Sequence, residues 1–201
     1  MKTAPTGSRR ITAFITVSVV GLLIALALDL PVLRALAGVT IPENDAYRMF
    51  RVMGYLPVWW LVALGLWLAQ PAGKRAWRGS ALLAVMPVLT GLVGEVLKFV
   101  FRRVRPEVGV HGYQYIPWEE LRWSTNGLGL PSSHAIVAFG AAWVLCRLFP
   151  RGWPVWFVLA TGCAVTRIVS RAHYVSDCFV AAVVSYSVVW LLWQRMNHQP
   201  E

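Results

Sequence analysis

Long apolar runs broken by short polar stretches make up most of this chain. Segments at roughly 11–33, 53–70, 80–101, 135–149, 153–170 and 178–194 each approach the length of a bilayer-crossing helix, with ends free to drift by several residues. The runs are too long and uninterrupted for a water-soluble globule of this size. The pattern predicts an all-α polytopic membrane bundle of about six transmembrane helices, forming a single integral-membrane domain over residues 1–201. Arg9 and Arg10 precede the first run as in a signal peptide, but that run is long, no small-residue cleavage site follows it, and more spans come after. It is expected to stay as the first helix.

Composition agrees with this reading. Of the 201 residues 57% are hydrophobic and 14% charged, against about a quarter charged in soluble domains. The formal charge of +10 raises nucleic acid or an anionic membrane surface as a partner. No basic block, zinc-type Cys/His spacing or aromatic-basic motif accompanies it, which argues against nucleic acid. Cys146, Cys163 and Cys178 lie scattered in apolar runs and read as small buried side chains, not a disulfide framework.

Loop charges set the expected orientation. "PAGKRAWRG" carries Lys74, Arg75 and Arg78 without an acid, and the N-terminus carries Lys2, Arg9 and Arg10, so both read as cytoplasmic. The loops after the first, third and fifth spans then lie outside. The Lys/Arg totals of the two sides are nearly even, and the asymmetry returns if some outer arginines bind substrate. The longest outer loop, about 102–134, contains "YQYIPWEELRW". Its Trp118, Leu121 and Trp123 fit either a short interfacial helix or a loop with aromatic anchors.

Three charged places fall on one membrane face, where ionisable groups are costly and mark function. In "KFVFRRVRP", Lys98 and Arg105 stand seven apart, two helical turns, and make an anion site before Pro106. The alternative has Lys98 snorkelling and paired with Glu95 while Arg102, Arg103 and Arg105 touch lipid phosphates. In "GLPSSHA", Pro131, Ser132, Ser133 and His134 precede a span, where free amides and hydroxyls bind phosphate and a histidine can protonate a leaving oxygen. An ordinary N-cap with a solvated His134 is the plainer alternative. In "TRIVSRAHYVSD", His173 and Asp177 are i and i+4 if helical, so the carboxylate can hold one ring nitrogen and leave the other as nucleophile, with Arg167 a further cation. A polar helix end with a capping pair competes with that. Together the three places fit phosphoryl transfer, which needs charge around the phosphoryl oxygens, an in-line nucleophile and an acid.

With these residues in view the sequence resembles the type 2 phosphatidic acid phosphatase superfamily, whose signature is K-x6-R-P, P-S-G-H and S-R-x5-H-x3-D. Lys98 through Pro106 match the first part, "PSSH" matches the second with Ser133 for glycine, and the third matches with Thr166 for serine; the signature region runs from 98 to 177. Arg171 is too close to His173 to be the motif arginine, which is Arg167. The resemblance implies an integral membrane lipid phosphatase in which His173 forms a phosphohistidine, Asp177 orients its ring, and His134 protonates the leaving oxygen and then activates water. Lys98, Arg105, Arg167, Ser132 and Ser133 would hold the phosphate. No metal or other cofactor is implied. Arg102, Arg103 and Arg171 read as solvated positive rim, the alternative being recognition of a second phosphate or a headgroup, and His111 and His198 as loop and tail residues. The implied setting is a cytoplasmic (inner) membrane, with the site at its outer face. Undecaprenyl pyrophosphate, phosphatidylglycerol phosphate, phosphatidic acid and lipid A 1-phosphate are candidate substrates. Transfer of the phosphoryl group to an acceptor lipid, a non-catalytic anion transporter and a silent lipid-binding relative are the rival readings.

Overall fold

A computed structural model describes residues 7–40, 42–69, 74–106, 112–120 and 123–197. Each of the six apolar segments is a helix: α1 (Gly7–Ala35), α3 (Leu56–Ala69), α4 (Lys74–Phe101), α5 (Ser133–Leu148), α6 (Trp153–Val169) and α7 (Val175–Asn197). A further short helix, α2 (Asp45–Val52), precedes α3. By length and composition, four of the described helices can cross a membrane. The α2–α3 pair qualifies as a fifth span if taken as one element bent by 74°, and α5 is an apolar helix of only 16 residues.

The short helix is the centre of the bundle. From Ala135 to Ala142 every residue of α5 is buried, and α4, α6 and α7 pack around it. Lipid offers no hydrophobic drive for helix association, so small residues and interhelical hydrogen bonds take its place. Gly140 of α5 lies where a Cβ would strike Thr90 of α4, and Gly94 of α4 lies likewise against Ile136. The Ser185 hydroxyl of α7 donates to the Ile136 carbonyl at 2.8 Å. By contrast α1 packs mainly on α7 and leaves most of its apolar surface outward, as a lipid-facing helix must.

The amphipathic α2 was not legible as a helix. Asn44 caps it by accepting from the Tyr47 N–H at 2.9 Å, and the Trp59 indole donates to the Met53 carbonyl at 2.7 Å across the bend. Gly54 at the bend sits against His134, with no room for a side chain.

The expected choice in the outer loop resolves toward a loop. Among the described residues of "YQYIPWEELRW" there is no helix; Leu121 and Arg122 lie outside them. After α4 the chain runs extended through 103–105, bridged to Tyr115 on one side and Leu128 on the other. Backbone bonds from Val104 N to Gln114 O (2.8 Å), Arg105 N to Gly127 O (2.9 Å) and Gly129 N to Arg103 O (2.7 Å) fix both neighbours. Trp118 and Trp123 are exposed.

Gly140→Val should wedge α4 from α5. Overpacking of this kind costs about 1–3 kcal/mol, so detergent-purified variant should unfold at lower temperature than wild type in a fluorescence melt.

Candidate active site

Helix ends deliver every residue of the three charged places to one end of the bundle. Lys98 comes from the last turn of α4 and Arg105 from the extended segment after it, not from two turns of one helix as the sequence spacing suggested, because α4 ends at Phe101; Ser132, Ser133 and His134 come from the start of α5, Arg167 from the last turn of α6, and His173 and Asp177 from the entry to α7. Two of these exits turn through left-handed backbone at non-glycine residues, Arg102 (φ 54°) after α4 and Arg171 (φ 55°) after α6. Such residues are uncommon and need the surrounding structure to hold them.

His173 is in the turn before α7, not in the helix. Its Nδ1 lies 2.9 Å from the Gly129 carbonyl and 3.4 Å from Asp177 Oδ2. A carbonyl oxygen only accepts, so Nδ1 carries the proton and donates it there, leaving Nε2 with the lone pair. Burial is the main influence on the ring and pushes its pKa below the ordinary histidine value; Asp177 pulls the other way.

Asp177 does more than face the histidine. As the third residue of α7 its Oδ2 accepts from the Tyr174 N–H at 2.8 Å, the back-reaching half of a capping box. Its Oδ1 accepts from Arg103, and its backbone carbonyl accepts from Ser132 N at 3.2 Å. The starts of α5 and α7 are thus tied together.

Arg103 corrects the sequence reading. Expected on a solvated rim, it is only 2% exposed and pairs with Asp177, with Asp29 of α1 3.8 Å away. It also donates to the Ser176 hydroxyl at 2.7 Å, and Tyr113 and Tyr174 lie against its guanidinium. Asp29 in turn accepts from the Ser176 N–H at 2.8 Å and from the Tyr113 hydroxyl at 2.9 Å. A cation this deep needs carboxylates, and two are present. The signal available in the sequence was Asp29 itself, a lone acid within an apolar span. Arg102 is likewise engaged, donating to the Glu120 carbonyl at 2.6 Å and lying over Trp118. Arg171 stands half-buried in the turn after α6. His111 and His198 lie outside the described residues.

At the start of α5, Ser132 is fully buried and serves as the N-cap, accepting from Ala135 N at 3.5 Å. Ser133 enters the helix without left-handed backbone, so its position does not require glycine. Its hydroxyl accepts from Lys98 and donates to Glu95 Oε1 at 2.8 Å. Lys98 is buried and pairs with Glu95 at 2.8 Å, and the Thr125 hydroxyl donates to the other Glu95 oxygen at 2.5 Å. The Lys98–Glu95 pair and the placement of Lys98 beside Ser133 therefore coexist.

His134 packs edge-on against Tyr55, with the cations Arg167, Arg51 and Arg105 and the His173 ring around it. The buried Nε2 of His134 and Nε of Arg167 have no hydrogen-bond partner. Cations, an oriented imidazole and unpartnered polar atoms converge where an anion would satisfy them. Among the described residues no three His, Cys, Asp or Glu side chains gather as a metal site.

The PAP2 superfamily model matches residues 79–200. The chain belongs to the PAP2 superfamily. Its fold is similar to the crystal structure of a transmembrane PAP2-type phosphatidylglycerolphosphate phosphatase from Bacillus subtilis, at 17% identity and a TM-score of 0.65, covering 92% of this chain and 97% of that one. It is also similar to LpxE from Aquifex aeolicus, at 18% identity and a TM-score of 0.59, covering 83% and 95%. No curated protein sequence matches significantly. This PAP2 member therefore shares the helical membrane architecture of both, and its signature residues occupy the bundle end described above.

Arg103→Ala would leave Asp29 and Asp177 buried without their cation. Breaking such a pair costs about 3–5 kcal/mol, so the variant should lose most folded protein on size-exclusion in detergent, whereas Arg102→Ala should remain monodisperse.

Proposed function

We propose that this PAP2 protein is a lipid phosphate phosphatase that hydrolyses a phosphate monoester or pyrophosphate of a membrane lipid through a phosphohistidine. The observation that carries the reading is the bond from His173 Nδ1–H to the Gly129 carbonyl, which leaves the Nε2 lone pair for attack. Nε2 bonds to phosphorus as the phosphorus–oxygen bond to the lipid breaks, and protonated His134 gives its proton to the departing oxygen. Water then attacks the phosphohistidine, His134 takes its proton, and phosphate leaves with Nε2 restored. Lys98, Arg105 and Arg167, with Ser132 and Ser133 at the head of α5, balance charge on the phosphoryl oxygens, so the chemistry runs without a metal.

The substrate's tails stay in the bilayer while its phosphate enters between the helix ends. The uncompensated basic stretch Lys74, Arg75 and Arg78 at the start of α4 supports a cytoplasmic side for the opposite end of the bundle, and so a site at the outer face of the cytoplasmic membrane.

Detergent-purified wild type, given a panel of the four candidate lipids in excess EDTA, should release inorganic phosphate. His173→Ala should reduce release to background, and His134→Ala by about 10²–10⁴-fold. Release that needs an added acceptor lipid would replace hydrolysis by transfer, and undiminished release by folded His173→Ala would overturn the mechanism.

The acid limb of kcat/KM follows from the same geometry. Only neutral His173 attacks, and burial holds its pKa below the ordinary 6.5. Activity limited by this group should persist below that value and fall only as pH drops through the lowered one. Asp177 raises the pKa, so Asp177→Asn should move this limb to still lower pH while lowering its plateau.

A further inference from the structure

The helix α2 lies outside the region matched by the family, yet it borders the site. Phe50 fills the space over Gly162 of α6, and Gly54 lies against His134. The Cys163 thiol approaches the Arg51 carbonyl at 3.9 Å. This packing seats Arg51 beside two site residues. The same thiol approaches the His134 carbonyl at 3.8 Å, and Arg51 is among the cations around both Arg167 and His134.

The Arg51 guanidinium faces two ways. Its outer nitrogen makes a long 3.4 Å pair with the exposed Glu43, while its Nε is buried without a hydrogen-bond partner. Arg167 Nε and His134 Nε2 share that state. Three unpartnered buried polar nitrogens near one another, two of them on cations that repel, call for an anion. Lys98, Arg105 and Arg167 already suffice for one phosphoryl group under the proposed function, so the added cation on the α2 side fits a second anionic group.

We propose that Arg51 is a specificity residue that binds a second phosphate of the substrate, so that the enzyme favours membrane lipids carrying two phosphate groups. This rests on the phosphatase reading. The second phosphate comes either from a diphosphate end or from a phosphodiester next to the cleaved monoester.

The test compares kcat/KM for phosphate release by wild type, Arg51→Ala and Arg51→Lys on a polyprenyl diphosphate, phosphatidylglycerol phosphate and phosphatidic acid. Arg51→Ala should lose at least about tenfold more on a two-phosphate lipid than on phosphatidic acid, mainly through KM, and Arg51→Lys should recover most of it. A selective loss on only one of the two-phosphate lipids identifies the source. The ratio is taken within one preparation, so partial misfolding cancels; if Arg51→Ala is inactive throughout, Arg51→Gln decides on the same ratio. A ratio within about twofold of wild type overturns the role of Arg51. Wild type that releases phosphate from none of the lipids overturns the phosphatase reading itself.

Discussion

The buried Arg103 ties together the first helix, the head of the last helix and the segment after α4. Its guanidinium joins Asp177 at the head of α7 to the vicinity of Asp29 in α1, and Ser176 bonds to both sides of the cluster. Its backbone carbonyl holds Gly129 N, and the carbonyl of that same glycine holds His173. One residue thus fixes both groups that contact the histidine ring. Isolated charges at this depth would be ruinous, and the cluster survives because the terminal nitrogens of Arg103 meet two carboxylates and a hydroxyl.

The remaining site inherits its geometry from helix ends. Two helices, α4 and α6, stop in left-handed turns at Arg102 and Arg171, and two others, α5 and α7, begin with capped first turns. The bond from Ser132 N to the Asp177 carbonyl joins those two starts. Rigid scaffolding of this kind positions catalytic groups better than loops alone. It also explains how a stretch with two arginines, a histidine and an aspartate can interrupt apolar helices: His173 and Asp177 face each other and the buried Arg103 instead of lipid.

Ser133 shows how a departure from a motif can be absorbed. Glycine is mandatory only where φ is positive or a neighbour presses on Cα, and neither holds here. The hydroxyl instead links Lys98 to Glu95, while Thr125 holds the carboxylate from the loop side. An acid so close to the buried Lys98 keeps that ammonium oriented and its charge paired.

Sequence alone determined the six apolar helices, because span length and apolar runs are local properties that the bilayer itself imposes. It likewise singled out the candidate site residues, since Lys98, Arg105, His134, Arg167, His173 and Asp177 stand at the spacings of the family signature. Tertiary structure alone decided that Arg103 is a buried strut and not a rim charge, because its partner Asp29 lies 74 residues earlier in the chain. It alone brought Gly129 to His173 and the short α2, with Arg51, to the side of Arg167. Those contacts join segments far apart in sequence, and no spacing rule relates residues whose meeting depends on how helices pack.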